Sequence, residues 1–303
     1  MGSVVDDALD LLAETGPEYE AFGGRISFAN HGPMVIDALV ALGRTNAVLE
    51  WAARYRPRLG PRPDKCASIE PSDWRSALGD MGRARDWADF FENELAEGLA
   101  YWAAQYEELP RQGTGPRNLL PSEALGKLEQ LDRAERAGAV LFTDAIRKLA
   151  DNPAFAAATD VIDTHDPPAT LSDLALVFSG VLIANNATVN PRGLSHSLTG
   201  GVATAMMRPH LSPETTEATL RYGWQTAAAF YCAIVLDPPT LRVAPPPETI
   251  DDIIDEALQC PDEHGIKVTE TCLREYEHRP DPVFLVAALS TTRRLNEVGI
   301  NLY

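Results

Sequence analysis

The chain has 303 residues, 45% of them hydrophobic, enough apolar side chain to bury one large core or two smaller ones, which excludes a disordered polymer. Its 44 acidic against 26 basic residues leave a net charge of -18 with no basic cluster, so nucleic acid and other phosphate-rich partners are repelled. The most apolar stretches, 175–189 and 227–236, are short or interrupted by Ser179, Gly180, Asn185 and Asn186. They fall below the ~20 unbroken apolar residues of a membrane span.

The chain opens on an acidic helix carrying Asp6 and Asp7 in place of a basic and then apolar leader, and the expectation is a cytoplasmic protein without a membrane partner. Apolar positions then recur at spacings of three and four almost throughout, and alternating runs bounded by Asn-Gly or Asp-Gly turns are absent. This pattern predicts an all-α fold, a single multi-helix globular domain over residues 1–303, with a two-lobed arrangement as its variant. One helix is expected over 32–42, with Met34, Val35, Ala38, Leu39 and Leu42 as its apolar stripe and Gly43 ending it. A second follows through Val48, Trp51, Ala52 and Tyr55. Further starts are expected at Thr170, at Ser212 with Pro213 in the first helical position, and at Thr249 ahead of Asp251. The Pro-rich pieces 56–63, 109–121 and 238–247 read as connecting loops, and no internal repeat occurs.

Cys66, Cys232, Cys260 and Cys272 show no Cys-x-x-Cys spacing and read as reduced thiols. Cys260 precedes His264 by four residues, which would suit a thiolate ligand, but Pro261 separates them and a buried thiol is the simpler account.

Six histidines carry the candidate chemistry. His31 lies three before Met34 and four before Val35, so it points toward the core side of its helix, as a ligand or as a core histidine bound to a backbone carbonyl. His196 opens a helical run with Thr199 and Ala203 on its face and Gly200-Gly201 allowing close approach, either as a ligand or as a capping-region residue. His165 belongs to a turn, His210 to the approach to a helix and His278 to a helix end, where an imidazole suits the dipole. His264 and Lys267 form an i, i+3 pair that aims two ligand-type side chains at one point. The same helix also offers Glu263, Lys267, Glu270, Arg274 and Glu277 as a solvated charged face, which by spacing alone is the commoner arrangement. Dinucleotide, P-loop, nucleophile-elbow and His-Glu-x-x-His motifs are absent, whereas a metal held by dispersed histidines needs only convergence in space.

Several segments in order resemble the questin oxidase-like family. They are Asn30-His31-Gly32-Pro33-Met34, Trp51 to Tyr55, Leu99-Ala100-Tyr101-Trp102-Ala103-Ala104, His196-Ser197-Leu198-Thr199-Gly200, Pro209-His210-Leu211, Asp262-Glu263-His264-Gly265-Ile266-Lys267 and Arg279-Pro280-Asp281-Pro282. The resemblance spans about residues 20–297 and implies an all-helical oxygenase that opens or ring-expands aromatic polyketides such as anthraquinones. It further implies a mononuclear non-heme Fe(II) centre reacting with O2, held by histidines and a carboxylated lysine, which places His31, His196, His264 and Lys267 as metal ligands. Tyr222, Trp224, Phe230 and Tyr231 offer an aromatic pocket wall or plain core. A further histidine helix of the form His-Gly-x-Ile-Arg, expected between Phe91 and Tyr101, has no counterpart, since no histidine occurs between His31 and His165. That departure keeps a metal-free carrier of a hydrophobic aromatic intermediate in play, alongside a metal-independent, NADPH-assisted Baeyer–Villiger-type oxygenase.

Overall fold

A computed structural model describes residues 3–21, 26–28, 30–77, 80–97, 117–132 and 161–299, with a few isolated positions between 146 and 157. The fold is all-α, with one small antiparallel sheet among the described residues, and the chain divides into two compact units, within residues 1–102 and 103–302. The Leu99–Ala104 segment, most of the 109–121 loop and the junction after Glu97 lie outside the described residues.

In the first unit, helix α1 (Val4–Ala13) starts from a reciprocal cap in which Ser3 Oγ accepts from the Asp6 amide and Asp6 Oδ2 accepts from the Ser3 amide. Helices α2 (Gly32–Ala41) and α3 (Val48–Tyr55) pack with it. They bury Ala8 and Leu12, then Val35, Ile36, Ala38 and Leu39, then Val48, Trp51, Ala52 and Tyr55. The α3 stripe is the expected one, and Trp51 stacks on Tyr55 one turn later. The α2 face is rotated from the expected stripe: Met34 is 50% exposed and Ile36 takes the core position.

Strands β1 (Thr15–Ala21), β2 (Ile26–Phe28) and β3 (Leu59–Pro61) pair in the order β2-β1-β3, with Glu18 opposite both Phe28 and Leu59. The β1 sequence, TGPEYEA, has no apolar alternation to announce a strand, and its pairing depends on tertiary context. Helix α4 (Ala84–Glu97) sets Phe90 and Trp87 on Ile69, Ala77 and Trp74.

The second unit contains the short α5 (Pro121–Leu125), then α6 (Pro167–Asn185), α7 (Pro191–Met207), α8 (Pro213–Ile234), α9 (Ile250–Gln259), α10 (Glu263–His278) and α11 (Pro282–Val298). Ser212 and Thr249 cap α8 and α9 as the sequence predicts. α6 starts earlier than expected, because Asp166 caps it and the Thr170 hydroxyl, already one turn inside, donates to the Asp163 carbonyl. Among the described helices, Pro167–Asn185 alone is long and apolar enough to cross a bilayer, yet 67% of that stretch is buried against protein, as in a core helix.

α10 is enclosed by α11, α7, α9 and α6, and every residue from Glu263 to Leu273 is buried. Close approach is built into two glycines. A Cβ on Gly265 would meet Cys260 Sγ at 2.9 Å, and one on Gly201 would collide with Leu174 of α6.

All four cysteines are free thiols, and only Cys66 is exposed. Burial pushes the Cys260 and Cys272 thiols up to about 12, so neither supplies a thiolate at neutral pH. Titration of the native protein with a thiol reagent at pH 8 is expected to label Cys66 alone, and all four thiols after denaturation.

Candidate functional site

The site begins where α10 begins. Asp262 is its N-cap: Oδ1 accepts from the His264 backbone N–H at 3.0 Å and lies 2.8 Å from His264 Nδ1. The second carboxylate oxygen, Oδ2, accepts from Arg192 Nε in a buried ion pair. Arg192 stands in the first turn of α7, where Asn190 caps by accepting from the Arg192 amide, and its Nη2 donates to the Gly299 carbonyl at 2.6 Å. Three segments therefore meet at one guanidinium. Burial by itself raises the Asp262 carboxyl, but the hydrogen bond and the charge of His264, with smaller support from the Arg192 charge, outweigh it and hold the group below the usual carboxylate range.

His264 is 5% exposed and Lys267, one turn along the same helix, is 7% exposed. The solvated-face reading fails here, because Glu263 and Glu270 are buried as well. Only the later part of the row, Arg274 and Glu277, reaches solvent.

His196 comes from α7, which starts at Pro191; it therefore sits in the second turn of its helix and is not a capping residue. Its ring lies 5.4 Å from that of His264, centroid to centroid, with the planes at 81°. Phe230 of α8 flanks it at 6.4 Å. Within the second unit the structure thus brings together His196, His264 and the helix face that carries Lys267.

His31 belongs to the first unit. It is the N-cap of α2, 8% exposed, and its backbone N–H donates to the Tyr55 hydroxyl at 3.0 Å. The Tyr55 hydroxyl donates to Glu18 Oε2 at 3.1 Å, the same oxygen lies 3.4 Å from His31 Nδ1, and Arg58 pairs with Glu18 Oε1. His31 is therefore set in a buried carboxylate, tyrosine and arginine network.

The remaining histidines stay outside these arrangements. His165 is exposed beside Asp163, His210 ends an exposed turn, and His278 is the exposed last residue of α10. Trp224, Phe230 and Tyr231 are buried core side chains of α8, and burial raises the Tyr231 hydroxyl above its ordinary value.

Two participants escaped the sequence reading, Arg192 and the capping role of Asp262. Asp262 was legible in principle as a capping residue just ahead of a helix. Arg192 was not, since nothing local links it to a carboxylate 70 positions away. The chain matches no protein-family model and no curated protein.

The buried pair yields a stability prediction. Arg192→Leu strands Asp262 in the interior and is expected to cost about 3–5 kcal/mol. In urea denaturation, adding Asp262→Asn to Arg192→Leu should cost much less than Asp262→Asn does in the wild type; strict additivity would mean that the two groups do not interact.

Proposed function

We propose that this chain is a member of the questin oxidase-like group, an oxygenase that opens or ring-expands an aromatic polyketide of the anthraquinone type. The observation that carries the reading is the nearly perpendicular pair of imidazoles, 5.4 Å apart on α7 and α10, with buried Lys267 one turn beyond His264.

The donor set fits a mononuclear Fe(II) centre. Imidazole is a good ligand for iron, and the ring separation lets two nitrogens with bonds of about 2 Å share one ion. Lys267 fits once its charge is removed. A lysine inside a protein favours its neutral amine, and a neutral amine that takes up CO2 and releases a proton to solvent becomes an anionic carbamate able to ligate through oxygen. His196, His264 and carboxylated Lys267 of the second unit would then hold the ion. Bound Fe(II) supplies an open position for O2 and the electrons that begin its reduction.

The chain's own residues do the remaining work. α10 keeps both ligands on a rigid, buried helix, and the packed first turn at Gly265 and Cys260 fixes where His264 stands. Phe230 packs an apolar ring beside His196.

A metal-free carrier of the same class of compound is the second reading, favoured by the absent histidine between Phe91 and Tyr101. Elemental analysis of protein purified without chelator, or reloaded anaerobically with Fe(II), separates the two. The enzyme reading expects close to one iron per chain, lost in His264→Ala, and O2 uptake with an anthraquinone that a chelator abolishes. Protein that takes up no iron yet binds the anthraquinone unchanged would establish the carrier. O2 uptake that needs NADPH and survives chelation would establish the metal-independent oxygenase.

A further inference from the structure

Asp262 does more than start a helix. A capping aspartate needs only to accept backbone N–H groups, and Asp262 meets that need at the His264 amide. The same oxygen is also 2.8 Å from His264 Nδ1, while the other is held by Arg192. The whole assembly is enclosed: Asp262 is 1% exposed, Arg192 8% and His264 5%.

We infer that Asp262, held by Arg192, is the positioning residue of His264, keeping its ring as the Nδ1–H tautomer so that the lone pair resides on Nε2. A carboxylate accepts and never donates, so the imidazole nitrogen facing it must carry the proton. Arg192 prevents rotation of the carboxylate, because its Nε is committed to Oδ2 and its Nη2 to the Gly299 carbonyl. A histidine bonded in this way presents a defined nitrogen with raised basicity to whatever it ligates.

A rival exists on the neighbouring residue. Glu263 Oε1 is 3.1 Å from the same Nδ1. Asp262 is the closer of the two and has the guanidinium behind it, so the assignment falls to Asp262 and not to Glu263. The purpose of the device rests on the metal reading of the previous section, whereas the tautomer does not.

The test is nitrogen NMR of 15N-histidine-labelled, metal-free protein at pH 8, with His264 assigned by its loss in His264→Ala. The wild type is expected to show His264 as the neutral Nδ1–H tautomer. Asp262→Ala removes both acceptor oxygens and is expected, once far-UV circular dichroism shows the helices intact, to abolish the preference; Glu263→Gln is expected to retain it. Cobalt(II) titration supplies the second readout, with Asp262→Ala weakening binding roughly 10–100-fold. A wild-type Nε2–H tautomer, a wild-type imidazolium, or an Asp262→Ala protein that keeps the wild-type tautomer would each overturn the assignment. A wild type with the Nδ1–H tautomer that binds no metal would overturn the metal reading and leave the positioning role standing. Should Asp262→Ala fail to fold, the wild-type tautomer together with Glu263→Gln decides the matter.

Discussion

The buried Arg192–Asp262 pair is the constraint around which the second unit is organised. It ties the first turn of α7 to the first turn of α10 and reaches the chain beyond α11 through the Gly299 carbonyl. Removing two charges from water costs several kcal/mol each, and the cost is offset only when geometry and extra hydrogen bonds are good. Both conditions are met on the Asp262 side, where backbone and imidazole share Oδ1 while the guanidinium takes Oδ2. A pair of this kind contributes little to net stability compared with an apolar replacement, but it specifies one register between helices. That register sets the position of His264.

From this anchor the interior follows by close packing. α10 enters tightly because Gly265 leaves room for Cys260, and α7 approaches α6 because Gly201 leaves room for Leu174. The two helices then bring His196 and His264 side by side. α10 is unusual in burying acidic and basic side chains along more than two turns, whereas charged residues are seldom buried without a partner or a task. The first unit repeats the logic on a smaller scale, with Glu18 held by Arg58 and Tyr55 next to His31.

Helical character was legible in the sequence because it rests on local periodicity, and so were the α8 and α9 starts, where Ser212 and Thr249 satisfy backbone donors in place. The cap of α6 stands four residues ahead of the expected one, because the chain's approach lets Asp166 take the backbone donor and commits the Thr170 hydroxyl to the Asp163 carbonyl. The small sheet was invisible, since β1 has no alternation of its own. At the site, the spacing of His264 and Lys267 indicated a shared face, but the same spacing described a solvated row. Burial, which decides between them, is a property of the helices that surround α10. His196 meets His264 across 68 positions of chain and Arg192 meets Asp262 across 70, distances over which single-sequence patterns carry no pairing information.

In the proposed function, fold is joined to chemistry through α7 and α10, packed so that two imidazoles share one ion. Crystals loaded anaerobically with Fe(II) and measured on both sides of the iron absorption edge test it most directly. An anomalous peak is expected at bonding distance from ring nitrogens of both His196 and His264, with Nε2 as the nitrogen of His264. A crystal without iron at that position, or with iron bound away from either ring, would contradict it.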